Sequence, residues 1–90
     1  MTLSTDEYNA LDKIATATKM DCWFLIEQDS YGNDFIHDLE NNVNLTLEEG
    51  LAQLADGIVN PLDYDYYGLT NAEIEAVLTL FAHFGLEVTV

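Results

Sequence analysis

Cys22-Trp23-Phe24-Leu25-Ile26-Glu27, Ser30-Tyr31-Gly32-Asn33 and Asp34-Phe35-Ile36-His37-Asp38-Leu39 together decide the fold. Aromatic and β-branched residues run on both sides of a glycine-containing turn, which is the pattern of a β-hairpin. With Tyr31 and Gly32 as the two central turn residues, Gln28 faces Phe35, Ile26 faces His37 and Phe24 faces Leu39. That face is mostly apolar and suited to packing on helices. The other face presents Asp21, Trp23, Leu25, Glu27 and Asp29 from the first strand, and Asp34, Ile36, Asp38 and Glu40 from the second. Carboxylates then surround an apolar patch of Trp23, Leu25 and Ile36. Asp29 lies across from Asp34 in this register, a like-charge pair that costs tenths of a kcal/mol to about 1 kcal/mol. If a helix covers that face, Trp23 becomes core.

Helices are expected on both sides of the hairpin. Ser4-Thr5-Asp6-Glu7, Thr46-Leu47-Glu48-Glu49 and Thr70-Asn71-Ala72-Glu73 each match the capping box, in which a hydroxyl and a glutamate three residues later satisfy backbone N–H groups at a helix start. The first helix should run from Thr5 to Lys19, with Leu11, Ile14, Ala15 and Thr18 on one face. The second should run from Leu47 to Asp56, with Leu47, Leu51, Leu54 and Ile58 aligned and Gly57 ending it. The third should run from Asn71 to Phe84 over Ile74, Val77, Leu78, Phe81 and Phe84, with Gly85 as its C-terminal cap. Leu86-Glu87-Val88-Thr89-Val90 alternates at period two and reads as a third strand. The expected order is αββααβ, a small α+β domain spanning residues 1–90.

The remaining evidence is charge. Seventeen Asp and Glu face two lysines and no arginine, a formal charge of -15 in 90 residues. Apolar residues make up 49% and aromatics 11% of the chain, too many for a disordered acidic tail. A folded domain with an acidic surface follows. Nucleic acids and anionic membranes are excluded as direct ligands, since both are bound through Lys and Arg. No signal-peptide pattern opens the sequence and no apolar run approaches a membrane span, so a cytoplasmic location is expected. Cys22 is the one cysteine, which rules out an internal disulfide and a cysteine-based zinc site. It sits in an apolar run, where burial is expected.

Catalytic and metal motifs fail on inspection. Asp29, Tyr31, Asn33, His37 and Glu40 fall at ligand positions of a calcium loop, but the glycine such a loop requires is replaced by Asp34. His37, beside apolar strand neighbours, reads as a core histidine. His83 falls opposite the apolar stripe of its helix and should be exposed. No nucleophile–base pair is apparent. The expectation is a non-enzymatic protein without cofactor or metal.

A second candidate surface is the segment Asp63-Tyr64-Asp65-Tyr66-Tyr67, where tyrosine contact area interleaves with acid. One of these tyrosines can pin the segment to the core while another meets a partner. Three readings of the charge follow. In size and charge the chain resembles anti-restriction and anti-CRISPR DNA-mimic proteins of phages and mobile elements, which implies a basic, nucleic-acid-handling partner. Seventeen acids on roughly 5,000 Å² give about one per 300 Å², against about one per 100 Å² for duplex DNA. Mimicry therefore needs the acids focused on one side, or a homodimer that extends the charged row. The second reading is an immunity- or antitoxin-type inhibitor using the Asp/Tyr segment. In the third, the acid serves only solubility or salt adaptation.

Overall fold

The computed structural model describes residues 1–57 and 67–86. In chain order the described elements are α1 (Thr5–Ala17), β1 (Phe24–Gln28), β2 (Asp34–Asp38), β3 (Val43–Leu45), α2 (Leu47–Gly57) and α3 (Asn71–His83). The architecture is α+β, as expected, with the three strands forming one antiparallel sheet in the order β1-β2-β3. The strand expected at Leu86–Val90 lies outside the described residues apart from Leu86.

All three capping boxes form. Glu7 N–H donates to Ser4 Oγ, Glu49 N–H to Thr46 Oγ1 and Glu73 N–H to Thr70 Oγ1, each at 3.2 Å. The glutamates return the bond to the cap N–H groups at 2.7, 3.2 and 2.8 Å respectively. The C-terminal ends of α1 and α3 also share one geometry. Leu86 N–H reaches Phe81 O and Gly85 N–H reaches Ala82 O, with Gly85 at φ +70°. Met20 N–H reaches Ala15 O and Lys19 N–H reaches Thr16 O in the same arrangement. There the left-handed position is taken by Lys19 at φ 60°, so α1 stops two residues before its expected end.

The hairpin register differs by one residue from the expected one. Phe24 pairs with Asp38, Ile26 with Ile36 and Gln28 with Asp34. The cause is the turn. Asp29 N–H donates to Asn33 O and Gly32 N–H donates to Asp29 O, with Gly32 at φ +83°. The loop thus has an odd residue count, a tight turn followed by a left-handed glycine, instead of a two-residue turn. An odd shift moves residues between faces. Ile36, expected on the carboxylate face, is fully buried, and Phe35 and His37 move to the opposite face.

β3 has no counterpart in the sequence reading. Three residues are too few to show a period. Asp38 turns the chain by accepting from Glu40 N–H (3.0 Å) and Asn41 N–H (3.1 Å), and Asn42 at φ 54° completes the reversal. Val43 then pairs with Asp38, and Leu45 with Ile36.

One core unites the elements. Leu11 and Ile14 from α1, Leu51 and Leu54 from α2, and Val77, Leu80 and Phe81 from α3 meet Phe24 and Ile36 of the sheet. Helix α2 seats closely on β2: a Cβ at Gly50 would lie 2.7 Å from Ile36 Cβ and nearer still to its Cγ1. Glycine in mid-helix costs about 1 kcal/mol in propensity, and here it allows this approach. Helices α1 and α3 are joined by Lys13, whose Nζ lies 2.7 Å from Glu73 Oε1 and donates to Gly68 O at 3.3 Å.

Candidate functional site

The carboxylates expected on one sheet face are divided by the observed register. Asp29 lies at the hairpin tip. Its Oδ1 accepts from Asn33 N–H at 2.9 Å and Tyr31 N–H at 2.8 Å, and these backbone bonds hold its carboxyl below the usual range. Asp34 is half-buried and its Oδ2 takes Leu3 N–H at 2.6 Å. It pairs with Gln28 across the hairpin, so the like-charge pair with Asp29 does not form.

Asp38 is only 5% exposed. The Asn41 side-chain amide donates to its Oδ2 at 2.9 Å, and this bond, with the N–H groups of Asn41 and Glu40, keeps its carboxyl below the usual value. Burial opposes this and is outweighed.

At the same end of the sheet, Glu40 accepts from the Cys22 thiol at 3.2 Å. Cys22 is exposed, against the expectation of burial, because it precedes β1 in a turn instead of lying within the strand. The Glu40 bond pushes its thiol pKa up, which opposes formation of a reactive thiolate. Asp21 is exposed beside it in the sequence. Trp23 is half-buried against the core, edge-on to Phe24 at 5.3 Å, so it does not centre an outward patch.

The outward face of the sheet carries Leu25, Glu27, Phe35, His37 and Asn44. His37 is therefore not a core histidine. Its Nδ1 lies 2.7 Å from Asn44 Oδ1 and 4.0 Å from Glu27 Oε2. His83 is exposed at the end of α3, where it was expected. Tyr67 is buried in the core, the anchoring role foreseen for one of its group. Asp63, Tyr64, Asp65 and Tyr66 lie outside the described residues.

Two features escaped the sequence reading. Tyr31 is 88% exposed at the hairpin tip, on a turn held by Asp29, by the Thr2 hydroxyl donating to Gly32 O and by Gln28 Nε2 donating to the same oxygen. The signal was present in Asp29-Ser30-Tyr31-Gly32-Asn33, where an aspartate two residues before an aromatic fixes its backbone. The second is the Lys13–Glu73 pair, which occupies one of the two lysines; its partners are too distant in sequence to be read as a pair. That bond holds the Glu73 carboxyl below the usual range.

Among the described residues, Lys13–Glu73 is the only lysine–carboxylate ion pair, and the 4.0 Å approach of Glu27 to His37 is one only with a protonated imidazole. Asp6, Asp12, Asp21, Glu27, Asp29, Glu40, Glu48, Glu49, Asp56 and Glu75 are exposed. A shallow groove between α1 and α3 gathers Asp6, Glu7 and Glu75. No group of three or more His, Cys, Asp or Glu among the described residues is placed to hold a metal ion. No described helix is long and apolar enough to cross a membrane. No family model, characterised protein or solved structure matches the chain.

Proposed function

We propose that this chain is a small, non-enzymatic inhibitor that binds a basic, nucleic-acid-handling protein through its carboxylate-rich surface. One observation carries the reading: the acid is not neutralised within the molecule. One lysine is engaged by Glu73, and the exposed carboxylates of α1, α2, α3 and the sheet ends make no close ion pair with a lysine or the N-terminus among the described residues. Such a surface repels phosphate and attracts cationic proteins over a Debye length.

The exposed Tyr31 favours the inhibitor form of this reading over close imitation of DNA. The molecule exposes 5253 Å², which keeps the average near one carboxylate per 300 Å², about a third of the density of duplex DNA. Charge then steers the encounter, and aromatic contact supplies affinity.

Affinity capture from the native host's lysate, eluted along a salt gradient, tests the proposal. The expected result is one basic DNA- or RNA-handling protein retained through moderate salt. Displacement of that protein by duplex DNA identifies mimicry, and retention against DNA identifies an inhibitor anchored by aromatic contact. Release of only abundant cationic proteins at low salt sinks both and leaves solubility as the role of the acid.

A further inference from the structure

We infer that the outer edge of β1 is a docking site for an extended, lysine- or arginine-bearing segment of the partner, which adds to the sheet as a fourth strand. The inference rests on the proposal of a basic protein partner and assigns it a place and a conformation.

The register determines which backbone groups face outward. Leu39 N–H donates to Trp23 O at 3.0 Å, and Asp29 N–H donates to Asn33 O at 2.9 Å. Both are hydrogen-bonded rungs of the antiparallel ladder. Such rungs alternate, so Leu25 and Glu27 also turn their N–H and C=O toward β2. Phe24, Ile26 and Gln28 therefore turn theirs away from it. Phe24 N–H is taken by Met20 O. The N–H and C=O of Ile26 and Gln28 are met by no described residue, as is expected of an edge strand.

The other edge is closed more fully. β3 has only three residues and leaves Asn44 alone between its bonded pairs. Where β3 stops, Met1 O takes Asp34 N–H at 2.9 Å.

Charge selects the occupant of the β1 edge. On the outward face, β1 presents Leu25 and Glu27, with Asp21 before the strand and Asp29 after it. A second copy pairing along this edge would bring carboxylates together, which is unfavourable. A strand with alternating cationic side chains would place all of them on this face, beside Glu27 and Asp29 with their alkyl stems over the exposed Leu25, and its apolar side chains on the opposite face beside Ile26. Main-chain bonds would supply affinity, and the alternating side chains specificity.

The test uses the full chain and a synthetic peptide of about nine residues alternating valine and lysine, with a control of the same composition whose lysines are contiguous. At about 0.15 M salt, the alternating peptide should bind more tightly and protect the Ile26 and Gln28 amides from hydrogen exchange. Gln28→Pro removes an outward N–H without removing a bond to β2, so it should weaken binding about tenfold, while Gln28→Ala should not. The melting curve of each variant establishes that it is folded. Equal binding of the two peptides, or amide protection confined to the helices, overturns the inference in the wild-type chain alone. In lysate capture, a basic partner held equally by wild type and Gln28→Pro removes the edge site and leaves the functional proposal standing. Failure of the wild type to hold any such partner removes both.

Discussion

Helices and sheet use their carboxylates in different ways. In the helices Glu7, Glu49 and Glu73 each return a bond to the cap three residues before them, and Asp6, Asp12, Glu48, Asp56 and Glu75 face solvent. In and around the sheet, Asp29 and Asp38 bend the chain by accepting N–H groups ahead of them, and Asp34 ties down residue Leu3 from outside the hairpin. A helix acid is local chemistry at fixed spacing. A sheet acid here sets how strands meet. Removing the first kind should fray an end, whereas removing the second should disturb register, and with it which side chains are buried.

The point where the two layers touch should give the largest effect. By helix propensity alone, Gly50→Ala would stabilise by about 1 kcal/mol. The clash with Ile36 predicts the opposite, an overpacking penalty of about 3 kcal/mol and a net loss of about 2 kcal/mol. Urea denaturation reads the sign directly. A more stable Gly50→Ala protein would mean that α2 does not seat on β2 through this glycine. The same substitution combined with Ile36→Val should cost less than the two single losses added together, because they share one contact.

Legibility followed the same division. The capping boxes could be read because three residues of spacing within one helix turn determine the bonds. The core stripes of α1 and α2 followed from periodicity, with Leu11 and Leu51 where they were expected, whereas α3 buries Val77 and Phe81 as expected but adds Leu80 and leaves Ile74 and Leu78 half-buried. The hairpin was legible as an element but not in register. Whether its loop has an even or odd count depends on the Asp29 side chain and on Gly32 adopting a positive φ, and the residue types permit both turns. That single step placed Ile36 and the carboxylates of Asp34 and Asp38 on the wrong face. The candidate surface was therefore legible as acidic, but neither its arrangement nor its exposed aromatic, Tyr31, was. The stop of α1 at Ala17, ahead of a left-handed Lys19, was hidden too, since lysine is an uncommon residue for a left-handed position.

Acid titration sharpens the comparison within the sheet. Asp29 and Asp38 both have folded-state pKa values below the ordinary aspartate value, lowered chiefly by Asn33 N–H and by the Asn41 side chain respectively. A depressed folded pKa contributes stability above the unfolded value, near pH 4, and that contribution is lost as pH falls through the folded value. Relief of repulsion among the other carboxylates acts in the opposite direction over the same range. About 1 M salt screens that repulsion and exposes the loss. Under that condition Asp38→Asn should flatten the acid arm of stability against pH more than Asp29→Asn, since the bonds to buried Asp38 are screened less by the salt than those to exposed Asp29. Equal flattening by the two would show that burial adds nothing to the second turn.

Tyr31 should give the smallest effect on folding and, within the proposal, a large one on binding. Its side chain is 88% exposed, while its backbone N–H is held by Asp29 and the reversal is completed by Gly32. Tyr31→Ala removes contact area from the tip and leaves those bonds in place, so unfolding should shift by no more than about 0.5 kcal/mol. The captured partner should be released at lower salt from Tyr31→Ala than from wild type, because an exposed aromatic on a fixed turn gives contact area at little entropic cost. Asp29→Asn separates charge from shape at the same tip. The amide oxygen can still accept from Tyr31 and Asn33, so a loss of partner affinity in that variant, with the turn intact, assigns the loss to the missing charge. If Tyr31→Ala destabilises the chain by well over 0.5 kcal/mol, the ring is part of the hairpin's own packing, and the tip then belongs with the sheet acids as a device of folding instead of contact.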